Sequence, residues 1–104
     1  MTVYEFVKVL LSVTPNVYHD EVSPECEEYI IWSEIGINSL RADSVMTESV
    51  IRIALDIYTK KEFSEIPNKL QNALDKAFIA YDDPEIIYSQ DTKWKQYAYS
   101  LEVP

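Results

Sequence analysis

The sequence has very few of the residues from which most enzyme sites are built. Its 104 residues include one glycine (Gly36), one cysteine (Cys26) and one histidine (His19). A single glycine excludes the glycine-rich loops that bind phosphate, and one histidine with one cysteine cannot supply the usual ligands of a zinc site. A lone cysteine forms no internal disulfide, which is typical of a reducing compartment. We therefore expect no enzyme activity, no cofactor and no bound metal.

Basic residues are also scarce. Lysine and arginine number 9 against 18 aspartate and glutamate residues, which gives a net charge of −9. A protein that binds nucleic acid needs a basic surface, and this composition is the opposite. The chain has no basic segment followed by a long apolar run near its first residues, so we expect no signal peptide and no membrane contact. Its length predicts one domain, residues 1–104.

The spacing of the apolar residues predicts two helices and five strands. Thr2 and Glu5 have the spacing of a helix capping box, and apolar and polar residues alternate strictly over 51–58, as in a strand with one buried face. The predicted helices span 2–13, which Pro15 ends, and 65–81, with Ser64 as its cap; the predicted strands span roughly 16–19, 28–37, 49–59, 85–89 and 94–103. The order α-β-β-β-α-β-β predicts an α+β fold in which two helices pack on one face of a mixed or antiparallel sheet.

Two regions of this fold are candidates for contact with another subunit. Helices on one face leave the opposite face of the sheet uncovered, and we expect large side chains there: Trp32, Tyr58, Tyr97 and Tyr99. Residues 38–48 have no clear period, and a connection of this length without secondary structure is uncommon in a compact domain. This segment is either a surface loop or an arm that orders against a neighbouring subunit.

Two further patterns have weaker chemical interpretations. His19 precedes Asp20, and a histidine beside a carboxylate can act as a general base, but no nucleophile stands in a recognisable motif. The acidic run 20–28 could bind calcium, form a solvated turn or line a surface that repels DNA phosphate. It has neither the spacing nor the glycine of an EF-hand, which favours the solvated turn.

Several segments resemble the small tail-terminator proteins of tailed phages and prophages. The stretch Tyr29-Ile30-Ile31-Trp32-Ser33-Glu34 is similar to an aromatic-rich second strand of that family, and Leu55 to Lys61 (Leu-Asp-Ile-Tyr-Thr-Lys-Lys) is similar to the end of its third strand. The acidic helix 65–81 and a terminal hairpin follow in the same order. The resemblance covers roughly residues 2–103.

The resemblance implies a structural rather than an enzymatic role. Tail terminators form a homohexameric ring on the last ring of the tail tube, stop its polymerisation and offer a surface to the head-completion proteins of the neck. The implied partners are therefore further copies of the chain, the tail tube protein and a head-completion protein. DNA would pass through the ring without specific binding. The implied location is the tail or neck of the virion, after assembly in the bacterial cytoplasm.

Candidate residues follow from combining the ring with the sequence patterns. The predicted subunit or partner contacts are Leu40, Arg41, Val45 and Met46 of the arm and Trp32, Tyr58, Tyr97 and Tyr99 of the sheet. Four clustered acidic residues are predicted to face the lumen, where like charge would keep DNA from adhering: Glu25, Glu27, Glu28 and Asp43.

A second class of function uses the same acidic charge. A small DNA mimic would occupy the nucleic-acid site of a host protein, and it would need carboxylates spread like phosphates over an extended surface. Here five of the 18 acidic residues crowd into 20–28. A hydrolase, the third class, has no support beyond His19 and Asp20.

Overall fold

The computed structural model of the chain describes residues 1–20, 25–42 and 45–103, with residues 37–42 and 45–49 described by their backbone. Within these residues it contains two helices and six strands, one strand more than the sequence predicts. In chain order they are α1 (Val3–Leu11), β1 (Val17–His19), β2 (Glu28–Ala42), β3 (Val45–Thr59), α2 (Ile66–Lys76), β4 (Ala80–Tyr81), β5 (Glu85–Tyr88) and β6 (Lys95–Val103). No helix among these residues is long and apolar enough to cross a membrane.

Helix α1 begins as the capping pattern predicts. The Glu5 backbone N–H donates to the Thr2 hydroxyl at 3.1 Å, and that hydroxyl donates to the Glu5 carboxylate at 3.3 Å. Phe6 and Leu10 follow at helical spacing and are fully buried. The cap therefore fixes the start of a helix whose apolar stripe faces the sheet.

The sheet is mixed, as predicted. Its main order is β1-β2-β3-β6-β4, and β5 also pairs with β6. Strand β1 runs parallel to β2, while every other pair is antiparallel. The short β4 is the additional strand, and it occupies residues that the sequence assigned to the end of the second helix. The predicted α+β class is confirmed.

Both helices pack on one face of this sheet. Side chains alternate between the two faces of a strand, so Ile53, Leu55 and Ile57 of β3 point together into the core and are at most 1% exposed. They meet Leu70 and Leu74 of α2, which are also fully buried. The alternation read from the sequence over 51–58 is therefore the alternation between core and open face.

The segment 38–48 is not a connection without structure, and that prediction is wrong. The backbone of 38–42 continues β2 and the backbone of 45–48 belongs to β3, paired as far as Ala42 opposite Val45. Strand β6 pairs with β3 only from Ile51 onward. The two strands thus extend beyond the rest of the sheet as a two-stranded ribbon, and the molecule measures 53 × 24 × 23 Å.

Helix α2 ends five residues before its predicted end at 81. Phe78 adopts a left-handed backbone conformation with φ 57°, and its N–H donates to the Asp75 carbonyl. The next N–H, that of Ile79, donates to the Leu74 carbonyl at 3.0 Å. These two bonds form a Schellman motif, which normally has glycine at the left-handed position. At the other end Glu65 holds the cap position without a side-chain cap bond, while the predicted cap Ser64 accepts from the Ile66 N–H at 3.2 Å.

Candidate functional site

The open face of the sheet is the face that the helices leave uncovered. It carries the alternate residues of β2, β3 and β6, those that do not point into the core. Near the middle the face is slightly concave. The residues that line this depression are Asp20, Tyr29, Ile31, Ser33, Ala54, Asp56 and Tyr58. The mixture of aromatic, small and acidic side chains suits contact with another protein better than enclosure of a small molecule.

Four aromatic side chains form a cluster at one end of this face. Tyr29 and Tyr58, paired across β2 and β3, stack with ring centroids 5.0 Å apart. Trp94 meets both edge-on at 5.6 and 6.4 Å, and Tyr18 meets Tyr29 edge-on at 6.1 Å. The Lys60 ammonium lies 5.0 Å from the Trp94 ring centroid, where the ring quadrupole attracts a cation. The cluster is half-buried and gives this end of the open face a rigid aromatic surface.

Asp56 is the acidic residue at the centre of the open face. Its carboxylate accepts a hydrogen bond from the Gln96 amide at 3.1 Å. Burial raises the pKa of Asp56 above its ordinary value, although the Gln96 bond opposes the rise. Burial also raises the pKa of Tyr29 and of Tyr58, and Asp56 adds to both. The centre of the face is thus less favourable to negative charge than the acidic composition suggests.

Of the four aromatic residues predicted for the open face, one lies there and three lie on the opposite face. Tyr58 lies on it, as predicted. Trp32, Tyr97 and Tyr99 lie on the opposite face, and their predicted placement is wrong: Trp32 and Tyr99 are 3% and 2% exposed within the core, and Tyr97 packs against the core. The reason is register, because Trp32 and Tyr99 both stand opposite Leu55, a core residue. A subunit contact through Tyr58 stays a prediction.

The four predicted arm residues lie in the projecting ribbon. Arg41 pairs with Met46, and Leu40 and Val45 occupy the two strands beside them. The pairing shifts register between Leu40 and Arg41, and again between Glu34 and Gly36. Such irregularities bend and twist a ribbon. The contact that these residues would make with another subunit is not tested by a single chain.

Glu28, one of the predicted lumen residues, is bound within its own chain. Its carboxylate accepts hydrogen bonds from Thr59 at 3.0 Å and from Ser64, and it lies 2.9 Å from the Lys61 ammonium. Its side chain is 16% exposed. Burial alone would raise the pKa of Glu28, but the bonds from Ser64, Lys61 and Thr59 outweigh that effect and lower it. Glu28 therefore joins the start of β2 to the end of β3 and the segment before α2.

The other predicted lumen residues differ in position. Glu25 and Glu27 are exposed beside the first residue of β2, and Asp43 lies outside the described residues. Exposure leaves the two glutamates free to meet a partner or solvent. The prediction that they face a lumen is not tested by a single chain.

His19 stands next to two carboxylates at the edge of the sheet. Its Nε2 lies 3.4 Å from an Asp20 oxygen and 3.0 Å from a Glu34 oxygen, and its ring stacks on Trp32 with centroids 4.0 Å apart. One ligand atom from each of the three residues lies within 4.8 Å of the others, so they could hold a metal ion. All three are exposed, and the hydrogen bond between His19 and Glu34 at 3.1 Å, with Asp20 beside it, already accounts for the arrangement.

Sequence reasoning missed the aromatic cluster and the Glu28 network. The sequence places Tyr29 in a strand, but its partner across the sheet depends on the β2–β3 register. The sequence groups Glu28 with the acidic residues predicted to face the lumen, because its partners lie 31 and more positions away in the chain. The one available signal was the phase of alternation in β3, which places Tyr58 opposite to the Ile53, Leu55 and Ile57 side chains.

Comparison with known proteins finds a solved structure with a similar fold. Neither protein-family models nor curated proteins match this chain. Among solved structures, the fold is similar to that of a chain in the virion of a native gene transfer agent (GTA) particle, with a TM-score of 0.65. The two chains are 9% identical, and the similarity covers 95% of this chain and 87% of that one. The arrangement of helices and sheet is therefore shared over nearly the whole length of both chains.

Proposed function

We propose that the chain is a structural protein of a phage or phage-like virion, and specifically a tail terminator. The observation that carries this proposal is the fold shared with a virion chain over 95% of this one. In this role, six copies form a ring on the end of the tail tube, stop its polymerisation and present a surface to a head-completion protein. The ring acts by assembly and needs no catalytic group.

Two features of the single chain support assembly. A closed ring requires each copy to offer two different surfaces, because one patch must meet another patch on the next copy. The projecting β2–β3 ribbon is one surface whose distal pairs receive no support from β1 or β6. The open sheet face with Tyr58 and the aromatic cluster is the other. The ribbon can reach a neighbouring subunit or the tube, since it extends the molecule to 53 Å.

The charge of the chain suits a channel for DNA. Six copies at −9 each carry a formal charge of −54, and like charge repels the phosphate backbone over about 10 Å at 0.1 M salt. DNA then passes through the ring without adhering to it. The tail tube protein and the head-completion protein would bind on the two rims.

The first test is the mass of the protein in solution. Light scattering across a concentration series, followed by negative-stain imaging, should reveal a species of about 73 kDa, six times the 12.1 kDa chain, and six-fold rings. A second experiment uses purified tail tubes, because a terminator should bind one end of each tube and prevent further growth. A chain that neither forms rings nor binds tube ends contradicts the proposal, and a monomer that competes with DNA for a basic host protein supports the mimic instead.

A further inference from the structure

Two short strands form the lateral edges of the sheet and lie level with each other. The register can be followed from one edge to the other through every strand between them. One row contains Val17, Ile30, Ile57, Tyr97 and Ile86, and the next contains Tyr18, Ile31, Asp56, Ala98 and Glu85. Strand β1 on one side and strand β5 on the other therefore lie at the same height in the sheet.

The outer sides of both strands have no strand partner among the described residues. Strand β5 pairs only with β6, and β1 pairs only with β2. All four residues of β5 are exposed, and three are large and apolar: Ile86 at 57%, Ile87 at 46% and Tyr88 at 53%. An apolar edge strand with free N–H and C=O groups readily pairs with another strand, and proteins usually protect such edges. Strand β5 has four residues, and its apolar side chains are exposed at this edge.

The directions of the strands are compatible with pairing between copies. Relative to β1, the chain runs in the same direction in β2 and β6 and in the opposite direction in β3 and β5. Strands β1 and β5 thus run in opposite directions. When a second copy lies beside the first, related by rotation about an axis along the strands, its β1 is antiparallel to β5 of the first. Antiparallel pairing is the slightly more stable of the two kinds of strand pairing.

Charged residues of opposite sign lie near the two edges of the sheet. Two rows below the row of Val17 stand Glu28, Thr59, Lys95 and Tyr88. On the β5 side, a groove beside Tyr88 is lined by Lys60, Lys61, Lys93 and Lys95, with Glu62 as its acidic member. Of these lysines only Lys61 makes an ion pair within the described residues, to Glu28. On the β1 side, the residues before Glu28 include the exposed Glu25 and Glu27.

We infer that β5 of one copy pairs with β1 of the next, which brings the lysine-lined groove beside β5 toward Glu25 and Glu27 of that neighbour. This inference rests on the proposed ring and adds an edge contact to the ribbon and open-face surfaces already proposed for it. The contact is head to tail, so it propagates from copy to copy until the ring closes. The edge strands supply hydrogen bonds and apolar area, and the charges set orientation and register. Glu25 and Glu27 then belong to the subunit contact and not to the lumen.

A charge exchange tests this contact. The first variant, Lys93→Glu with Lys95→Glu, makes the β5 side acidic. The second, Glu25→Lys with Glu27→Lys, makes the β1 side basic. Each variant alone places like charges across every contact, whereas an equal mixture restores opposite charges at every contact of an alternating ring. A matched control, Lys69→Glu with Lys76→Glu, makes the same charge change on exposed residues of α2.

The concentration at half-maximal assembly is measured by light scattering for each sample. We expect it to rise about tenfold or more in each edge variant, to return close to the native value in the mixture and to change little in the control. Rescue in the mixture also shows that both variants fold. Rings that form equally well from either variant alone overturn the edge contact and leave the ring intact. Native protein that forms open chains, lost in the variants and restored in the mixture, supports the edge contact but contradicts the closed ring. Native protein that self-associates neither in solution nor on the ends of tail tubes overturns both.

Discussion

At the scale of single residues, Glu28 is the acidic side chain with the most bonds among those that the structure describes. It accepts from Thr59 and Ser64 and pairs with Lys61, so Glu28→Gln should destabilise the protein. We expect the free energy of unfolding at pH 7 to fall by about 1–2 kcal/mol, since hydrogen bonds to a charged group exceed those to a neutral one and the exposed Lys61 adds little. Urea denaturation followed by tyrosine and tryptophan fluorescence measures the difference.

The difference between native protein and Glu28→Gln should also depend on pH in a defined direction. The folded state lowers the pKa of Glu28 below its ordinary value of 4.5. The stability that this carboxylate contributes is therefore complete above that value and is lost as pH falls through the lowered pKa. The two proteins should converge in acid. A difference that stays constant from pH 7 to pH 3 would show that the carboxylate charge is not the cause.

Phe78 occupies a backbone conformation that a bulky residue adopts at a cost. Its φ is 57° and its side chain is 90% exposed. Replacing it by glycine therefore relieves the backbone strain and gives up little buried surface. We expect Phe78→Gly to raise the free energy of unfolding by about 1 kcal/mol. The matched control is Phe63→Gly, which removes a phenylalanine that is 87% exposed and has no positive φ. A gain in the control as large as in Phe78→Gly would contradict the explanation from backbone strain.

At the scale of elements, the distal part of the β2–β3 ribbon is separable from the core. Neither β1 nor β6 pairs with it, so deleting residues 39–46 should leave the free energy of unfolding within about 1 kcal/mol of the native value. We expect the shortened chain to be a folded monomer that forms no rings and no longer caps tail tubes. Circular dichroism and light scattering on the same sample separate folding from assembly. If the deletion variant assembles as well as the native chain, the ribbon is not a subunit contact.

The elements that could be predicted from the sequence are those whose signals are local. Thr2 and Glu5 mark the start of α1 three residues apart, and the alternation of β3 lies within one run of residues. The end of α2 could not be predicted, because the left-handed residue that closes it is Phe78 and not glycine. The ribbon was missed for a different reason. Its strands are held by pairing between residues such as Asn38 and Val50, and pairing across a hairpin has no periodic signature in one strand alone.

At the scale of the whole molecule, the sequence predicted the layers of the fold better than its surfaces. Helices on one side of a mixed sheet follow from the order of elements, but the membership of each face depends on how strands align. Trp32 and Tyr99 illustrate this, because each is plausible on either face until Leu55 is placed between them. The four candidate residues of the segment 38–48 lie in the ribbon, and their contact with another subunit stays a prediction, while three of the four aromatic candidates on the sheet are not on its open face.

The width of the sheet sets the diameter of the ring that we propose. Each chain contributes five strands from β1 to β5, which at about 4.8 Å per strand span about 24 Å. Six chains joined edge to edge would form a continuous wall of thirty strands with a circumference of about 144 Å and a diameter of about 46 Å. The four residues of β5 would then help to set this diameter. Each β5 strand contributes one fifth of its chain's share of the circumference, so the number of strands per chain and the number of copies together set the diameter.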